Sequence, residues 1–231
     1  MTDDAERPEL APRKEPAFNA PLMAVVLPLL IVGCYALQIS GGPALEQALQ
    51  DSFALSPVLL RQGHFELLFT HLFLHGSWTH VLFNAAACLI FATPVIRAFG
   101  KGLGAALSFF AFFFLCGMAS GLGFCLLNLS STVPVVGASG AIYGLIGASS
   151  RIGGIRGLNG GIVPLTNTRV LSSGAVWIGL NLVTALLPFL PGGQGVVIAW
   201  QAHIAGYLFG VLVIGHWLKA FHPGFFTRNL S

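Results

Sequence analysis

Charged residues are scarce in this chain of 231 residues, because Asp, Glu, Lys and Arg together make up 8% of it. None of them occurs in three long segments, which run from Leu67 to Ile96, from Gly102 to Ser150 and from Val170 to Leu218. With 55% apolar residues and a mean hydropathy of +0.81, the chain lies far outside the composition of soluble globular proteins. We therefore predict a membrane protein whose charge-free segments cross the bilayer.

Carboxylates are the scarcest charged groups, since no Asp or Glu follows Glu66. Their absence excludes an aspartyl dyad, a zinc protease of the HExxH type and a proton relay built on carboxylates. Cysteine is also sparse and has no paired spacing, which argues against a disulfide framework or a CxxC metal site. We expect the four cysteines to be small packing residues: Cys34, Cys88, Cys116 and Cys125.

The lengths of the apolar segments predict the number of membrane spans. A hydrocarbon core of about 30 Å needs roughly 20 residues of helix, which matches residues 21–39. The segments 102–150 and 170–218 are each too long for one crossing and carry turn signals at 128–134 and 188–195, so each predicts a helical hairpin. The predicted fold is all-α, with six transmembrane helices at about residues 21–39, 78–98, 103–126, 138–151, 170–188 and 199–218.

The basic residues predict the orientation of these spans, because Lys and Arg concentrate in cytoplasmic connections. Arg61 alone falls on the opposite side from the other ten: Arg7, Arg13, Lys14, Arg97, Lys101, Arg151, Arg156, Arg169, Lys219 and Arg228. We expect both termini to be cytoplasmic, with a disordered tail at 1–20, a membrane domain at 21–220 and a second tail at 221–231. Orientation accounts for the net charge of +3, so no nucleic-acid partner is expected.

Polar side chains inside the apolar helices are candidate functional groups, because they are costly in lipid. At about 1.5 Å per residue, Ser139 lies roughly 18 Å above the cytoplasmic charge that ends its helix. The same count gives roughly 20 Å for Asn84 and roughly 24 Å for His203. In a core of about 30 Å, all three lie in the outer part of the bilayer.

Glycines on two helices predict that Ser139 and His203 meet. Small residues let membrane helices approach closely, and here they are Gly137, Gly140, Gly144, Gly147, Gly206 and Gly210. Close approach would bring the Ser139 hydroxyl within hydrogen-bond reach of the His203 imidazole, the geometry of an activated nucleophile. Tyr143, one turn after Ser139, is placed to pack on His203 and fix its orientation, in place of the acidic third residue of a triad.

An acyl transfer also needs hydrogen-bond donors for the developing oxyanion. Ser139 lies at the start of its helix, where backbone N–H groups are free. His80 and Asn84 are four residues apart on one helical face, so both can point at the same place.

Three motifs resemble the rhomboid intramembrane serine proteases: His71-x3-His75-x4-His80-x3-Asn84, Gly137-Ala138-Ser139-Gly140 with Tyr143, and Ala202-His203-Ile204-Ala205-Gly206. The resemblance implies that Ser139 attacks the scissile carbonyl and that His203 acts as general base and then acid. It implies an oxyanion hole formed by the Ser139 N–H, His80 and Asn84, with His75 ordering nearby polar groups. No cofactor or metal is implied.

The resemblance also implies a six-helix bundle of the basic bacterial type, in the inner membrane, surrounded by lipid. Its substrates would be single-span membrane proteins, cleaved near the outer face. The chain departs from the family pattern at Phe65-Glu66, where Trp-Arg is common, and at Ile96, where Glu is common. We expect these departures to affect the packing of the first loop rather than the reacting residues.

Other hypotheses remain open on the sequence. The imidazoles of His71, His75, His80 and His203 could bind zinc. A catalytically silent relative would bind and escort membrane proteins, and a transporter would need a polar pathway. The segment Phe109–Phe114 is interpreted as lipid-facing bulk.

Overall fold

The computed structural model describes residues 21–153, 161–186 and 198–227, and within them the chain is an all-α bundle. The helices are α1 (Leu22–Ser40), α2 (Gly42–Phe53), α3 (Pro57–Arg61), α4 (Leu67–Thr70), α5 (Trp78–Phe99), α6 (Leu103–Leu127), α7 (Ser139–Arg151), α8 (Thr168–Ala185), α9 (Trp200–Phe221) and α10 (Gly224–Thr227). A 3-10 turn, His71–Phe73, follows α4. In these ranges β-pairing is limited to two isolated bridges, Leu55 with Val135 and Ile152 with Ile162.

Four helices in the described ranges are long and apolar enough to cross a membrane by themselves, namely α1, α5, α6 and α9. The chain is therefore a multi-pass membrane protein, and the prediction of an all-α membrane bundle is confirmed. The predicted tail 1–20 and the turn at 188–195 lie outside the described residues. Helix α9 continues to Phe221, and α10 forms within the segment predicted as a C-terminal tail.

Helix α7 lies at the centre of the bundle, packed against α5, α6, α8 and α9. It has 13 residues, and Ala141, Leu145 and Ala148 are fully buried. A helix this short cannot span about 30 Å of hydrocarbon, so it must be enclosed by other helices. Ser139, the first residue of this helix, is partly buried.

Helix α6 corrects part of one prediction, because three phenylalanines of the segment Phe109–Phe114 do not face lipid. Phe109, Phe112 and Phe113 are at most 1% exposed, whereas Phe110 and Phe114 are partly exposed. The Phe112 ring lies edge-on to Trp217 of α9, with centroids 5.5 Å apart. Because α6 packs against α4, α5, α7 and α9, a helix that is apolar on all sides buries these three rings.

The connection between α1 and α5 contains three short helices that position the residues before α5. The Ser56 hydroxyl accepts a hydrogen bond from the Leu59 N–H at 3.2 Å and caps α3. Leu55 exchanges two backbone hydrogen bonds with Val135, at 3.1 and 2.7 Å, which ties this connection to the segment before α7. The Ser77 hydroxyl caps α5 by accepting from the His80 N–H at 3.1 Å, so His80 lies in the first turn.

Candidate active site

Ser139 and His203 lie within hydrogen-bond distance, although 64 positions separate them in the sequence. Ser139 is the first residue of α7, and His203 is the fourth residue of α9. The Ser139 hydroxyl lies 2.8 Å from His203 Nε2. The unprotonated nitrogen of a neutral imidazole at this distance accepts a hydrogen bond from the hydroxyl, which is the arrangement that general-base activation requires.

Glycines allow this contact, because they bring the backbones of α7 and α9 together. A Cβ atom at Gly206 would overlap the carbonyl oxygen of Gly140, and one at Gly210 would overlap the carbonyl oxygen of Gly144. The Ser120 hydroxyl of α6 donates to the Ala202 carbonyl at 2.8 Å and holds α9 from the other side. The hydrogen bond between Ser139 and His203 therefore requires glycines at these contacts, because larger side chains would push α7 and α9 apart.

Two neighbours fix the His203 imidazole. The Tyr143 ring stacks on it, with centroids 4.4 Å apart and planes 7° from parallel. Asn181 Oδ1, on α8, lies 2.8 Å from His203 Nδ1. Tyr143 was a sequence candidate, whereas Asn181 was not. The available signal was a lone amide in the apolar run Trp177–Val183, since a buried polar group in a membrane helix needs a reason.

His80, Asn84 and Gly137 lie close together, next to the segment that leads into Ser139. Gly137 has a φ of +115°, a backbone conformation that favours glycine. A Cβ atom there would lie 2.8 Å from His80 Nε2 and 3.6 Å from Asn84 Nδ2. Asn84 Nδ2 is buried without an acceptor in the described part of the chain. Both side chains thus direct nitrogen atoms at the backbone that leads into Ser139.

His75 packs against His80. It is fully buried, and its ring centroid lies 5.0 Å from that of His80. The side-chain amide of Gln38, on α1, donates to the His75 carbonyl at 2.8 Å and accepts from the His75 N–H at 3.0 Å. Sequence reasoning missed Gln38, which is 2% exposed and pairs with a residue 37 positions away.

His71 lies away from the pair of Ser139 and His203 and anchors the loop. Its Nδ1 donates to the Leu67 carbonyl at 2.7 Å, and its own carbonyl accepts from the Gly137 N–H at 2.9 Å. Among the described residues, no three His, Cys, Asp or Glu side chains are grouped to hold a metal ion. The geometry thus assigns His71 to loop structure and gives the zinc hypothesis no support.

The two departures from the family pattern lie outside this cluster. Phe65 and Glu66 are exposed, and Glu66 pairs with His64 at 3.0 Å. Hydrogen bonds to its own backbone N–H and to His64 lower the pKa of the Glu66 carboxyl. Ile96 is 6% exposed and belongs to the core cluster of the bundle.

Comparisons with known proteins agree with this fold and these motifs. A family model described as Rhomboid domain matches residues 62–219. Over 121 residues the chain is 33% identical to the Rhomboid protease GluP of Bacillus subtilis (strain 168). That match covers 52% of this chain and 22% of the relative, so the chain spans about a fifth of the length of that protein. Because the family model covers well over half of the chain, the chain belongs to the rhomboid family.

Proposed function

We propose that this protein is an intramembrane serine endopeptidase that cleaves single-span membrane proteins near the outer face of the bilayer. The observation that carries the proposal is the 2.8 Å distance from the Ser139 hydroxyl to His203 Nε2. Family membership and the name of the Bacillus relative support it. The distribution of Lys and Arg supports cytoplasmic termini, and the bacterial source of the relative supports a bacterial inner membrane.

In this mechanism Ser139 Oγ attacks the carbonyl carbon of the scissile peptide while its proton passes to His203 Nε2. The oxyanion of the tetrahedral intermediate accepts hydrogen bonds from the Ser139 N–H, His80 Nε2 and Asn84 Nδ2. His203 then gives the proton to the departing amine, which leaves an acyl-enzyme. A water molecule, deprotonated by His203, hydrolyses the acyl-enzyme and regenerates the Ser139 hydroxyl.

The Ser139 N–H belongs in this set because the first turn of a helix leaves its N–H groups without helical acceptors. No side chain caps α7. The positive end of the helix dipole favours negative charge at the same place. His80 Nε2 can donate because His80 Nδ1 lies 3.5 Å from the Gly76 N–H, which favours Nδ1 as the acceptor.

The proposal is tested by labelling the detergent-solubilised protein with a fluorophosphonate probe, which reacts with activated serines and requires no known substrate. We expect labelling of the wild type and none of Ser139→Ala or His203→Ala. Ser149→Ala is the matched control, because Ser149 lies on α7 and its hydroxyl donates only to the Ile146 carbonyl at 2.8 Å.

A second assay places the wild type and Ser139→Ala in liposomes with a model single-span protein and follows cleavage by gel and mass spectrometry. Cleavage by the wild type alone, within the outer half of the span, is the expected result. A folded wild type that neither labels nor cleaves would instead favour the silent relative that binds and escorts membrane proteins.

A further inference from the structure

Asn181 has a side chain whose two ends have different partners. Its Nδ2 donates to the Trp177 carbonyl at 2.7 Å, one turn earlier on α8. Its Oδ1 faces His203 Nδ1 at 2.8 Å. Rotating the amide by 180° would place Oδ1 against the Trp177 carbonyl, and two acceptors cannot form a hydrogen bond. The orientation of the amide therefore follows from its partners rather than from an arbitrary choice.

This orientation determines which nitrogen of His203 carries the proton. An amide oxygen can only accept, so His203 Nδ1 must be protonated to form the 2.8 Å hydrogen bond. In a neutral imidazole the other nitrogen, Nε2, is then unprotonated. That nitrogen is the one that lies 2.8 Å from the Ser139 hydroxyl.

The burial of Asn181 indicates that its amide group has a role. It is 1% exposed and, with Val170, one of the two buried residues that α8 has in its described length. The other positions of α8 are partly or fully exposed. An apolar residue would bury more favourably in a membrane helix, so a buried amide is retained for its hydrogen bonds.

From this geometry we infer that Asn181 is a positioning residue that selects the Nδ1-protonated tautomer of His203. It performs the task that a carboxylate performs in other serine hydrolases, but without placing a negative charge inside the bilayer. The inference rests on the proposed function for its effect on rate. The tautomer itself is a property of the resting protein.

Because α8 carries Asn181, α7 carries Ser139 and α9 carries His203, the reactive arrangement requires three helices in contact. Tyr143 and Trp177 join the same cluster, with ring centroids 5.8 Å apart. The hydroxyl of Tyr207 on α9 donates to Ser173 of α8 at 3.1 Å, a second polar contact between these helices that does not involve His203. Ser173 therefore offers a control that weakens the contact between α8 and α9 without changing the tautomer.

The kinetic test compares Asn181→Leu, Asn181→Gln and Ser173→Ala with the wild type by fluorophosphonate labelling across probe concentrations. Asn181→Leu keeps the size of the side chain and removes the acceptor, so we expect a maximal rate about tenfold lower with unchanged probe affinity. Asn181→Gln keeps the amide donor and the amide acceptor and should recover part of that rate, while Ser173→Ala should label as the wild type does. Equal rates for Asn181→Leu and the wild type would overturn the inference.

The spectroscopic test does not depend on activity. In protein labelled with ¹⁵N-histidine, the His203 resonances are identified by their loss in His203→Ala. We expect a protonated Nδ1 and a bare Nε2 in the wild type, and a mixture of tautomers in Asn181→Leu. A wild-type His203 protonated at Nε2 would overturn the inference even if Asn181→Leu does not fold. A wild type with the expected tautomer but without labelling would instead contradict the proposed function.

Discussion

Tyr143 and His203 lie face to face, with ring centroids 4.4 Å apart and planes 7° from parallel. The stack joins two helices. Tyr143 lies on α7, four residues after Ser139, and His203 lies on α9. The ring of Trp177 on α8 lies nearly perpendicular to that of Tyr143, at 87°, with centroids 5.8 Å apart. The plane of the imidazole is therefore fixed by a ring on α7, the helix that also carries Ser139.

Tyr143→Ala should slow fluorophosphonate labelling about tenfold, because an aromatic pair contributes about 0.5–1.5 kcal/mol and holds the imidazole toward Ser139. Tyr143→Phe keeps the stacked ring and should retain most of the rate. Labelling rates at saturating probe decide between them. If Phe and Ala at this position reduce the rate equally, the ring is not what orients His203.

Asn84→Ala should lower the rate of peptide cleavage in liposomes by roughly 10²-fold, as expected when one oxyanion donor is lost. Thermal stability should not fall, because Asn84 Nδ2 has no acceptor in the described part of the chain and its burial costs free energy. Thr93→Val is the control on the same helix, since Thr93 Oγ1 donates only to the Leu89 carbonyl at 2.8 Å.

Cleavage rates and thermal midpoints of these two variants are measured side by side. A drop in the midpoint of Asn84→Ala without a drop in cleavage rate would assign Asn84 to structure instead of to the oxyanion.

Gly206→Ala should separate α7 from α9, because the new methyl group would overlap the Gly140 carbonyl oxygen. Overpacking of this kind costs about 1–3 kcal/mol, and a shift of about 1 Å between reacting groups can lower a rate roughly 10²-fold. We expect both a lower thermal midpoint in detergent and a large loss of labelling. Gly179→Ala is the matched control, since a Cβ atom there has no neighbour within 4 Å among the described residues. Wild-type labelling by Gly206→Ala would show that the two helices need not touch.

Gln38→Leu should lower the thermal midpoint, because it leaves both the N–H and the carbonyl of His75 buried without partners. Each unsatisfied group costs about 1–3 kcal/mol. Gln38→Asn keeps the amide donor and acceptor on a shorter side chain, so its midpoint should lie between those of Gln38→Leu and the wild type. Differential scanning calorimetry in detergent measures the three.

Gln47→Leu is the control for the Gln38 series, because Gln47 is exposed on α2 and bonds only to Asp51 at 2.7 Å. Similar midpoints for Gln38→Leu and Gln47→Leu would contradict the role of Gln38 as an anchor of His75.

Much of the fold could be predicted from the sequence, because hydropathy is summed over neighbouring residues. The apolar runs predicted α1, α5, α6 and α9 as spans, and these four helices are long and apolar enough to cross a membrane. The outward face predicted for Phe109–Phe114 was wrong for Phe109, Phe112 and Phe113, because hydropathy does not distinguish a lipid-facing phenylalanine from one packed against Trp217. The helices of the connection between α1 and α5 were also not predicted, since its mixed composition carries no clear period.

The candidate site could also be predicted only in part from the sequence. The sequence alone predicted that Ser139, Asn84 and His203 lie at similar depths in charge-free helices, because a predicted depth requires only the helical rise and the position of the nearest basic residue. Only the tertiary structure decided that Asn181 faces His203 and that Gln38 holds His75, across 22 and 37 positions of sequence. The physical reason is that burial propensity belongs to each residue, whereas a hydrogen bond requires two groups whose approach depends on how whole helices pack.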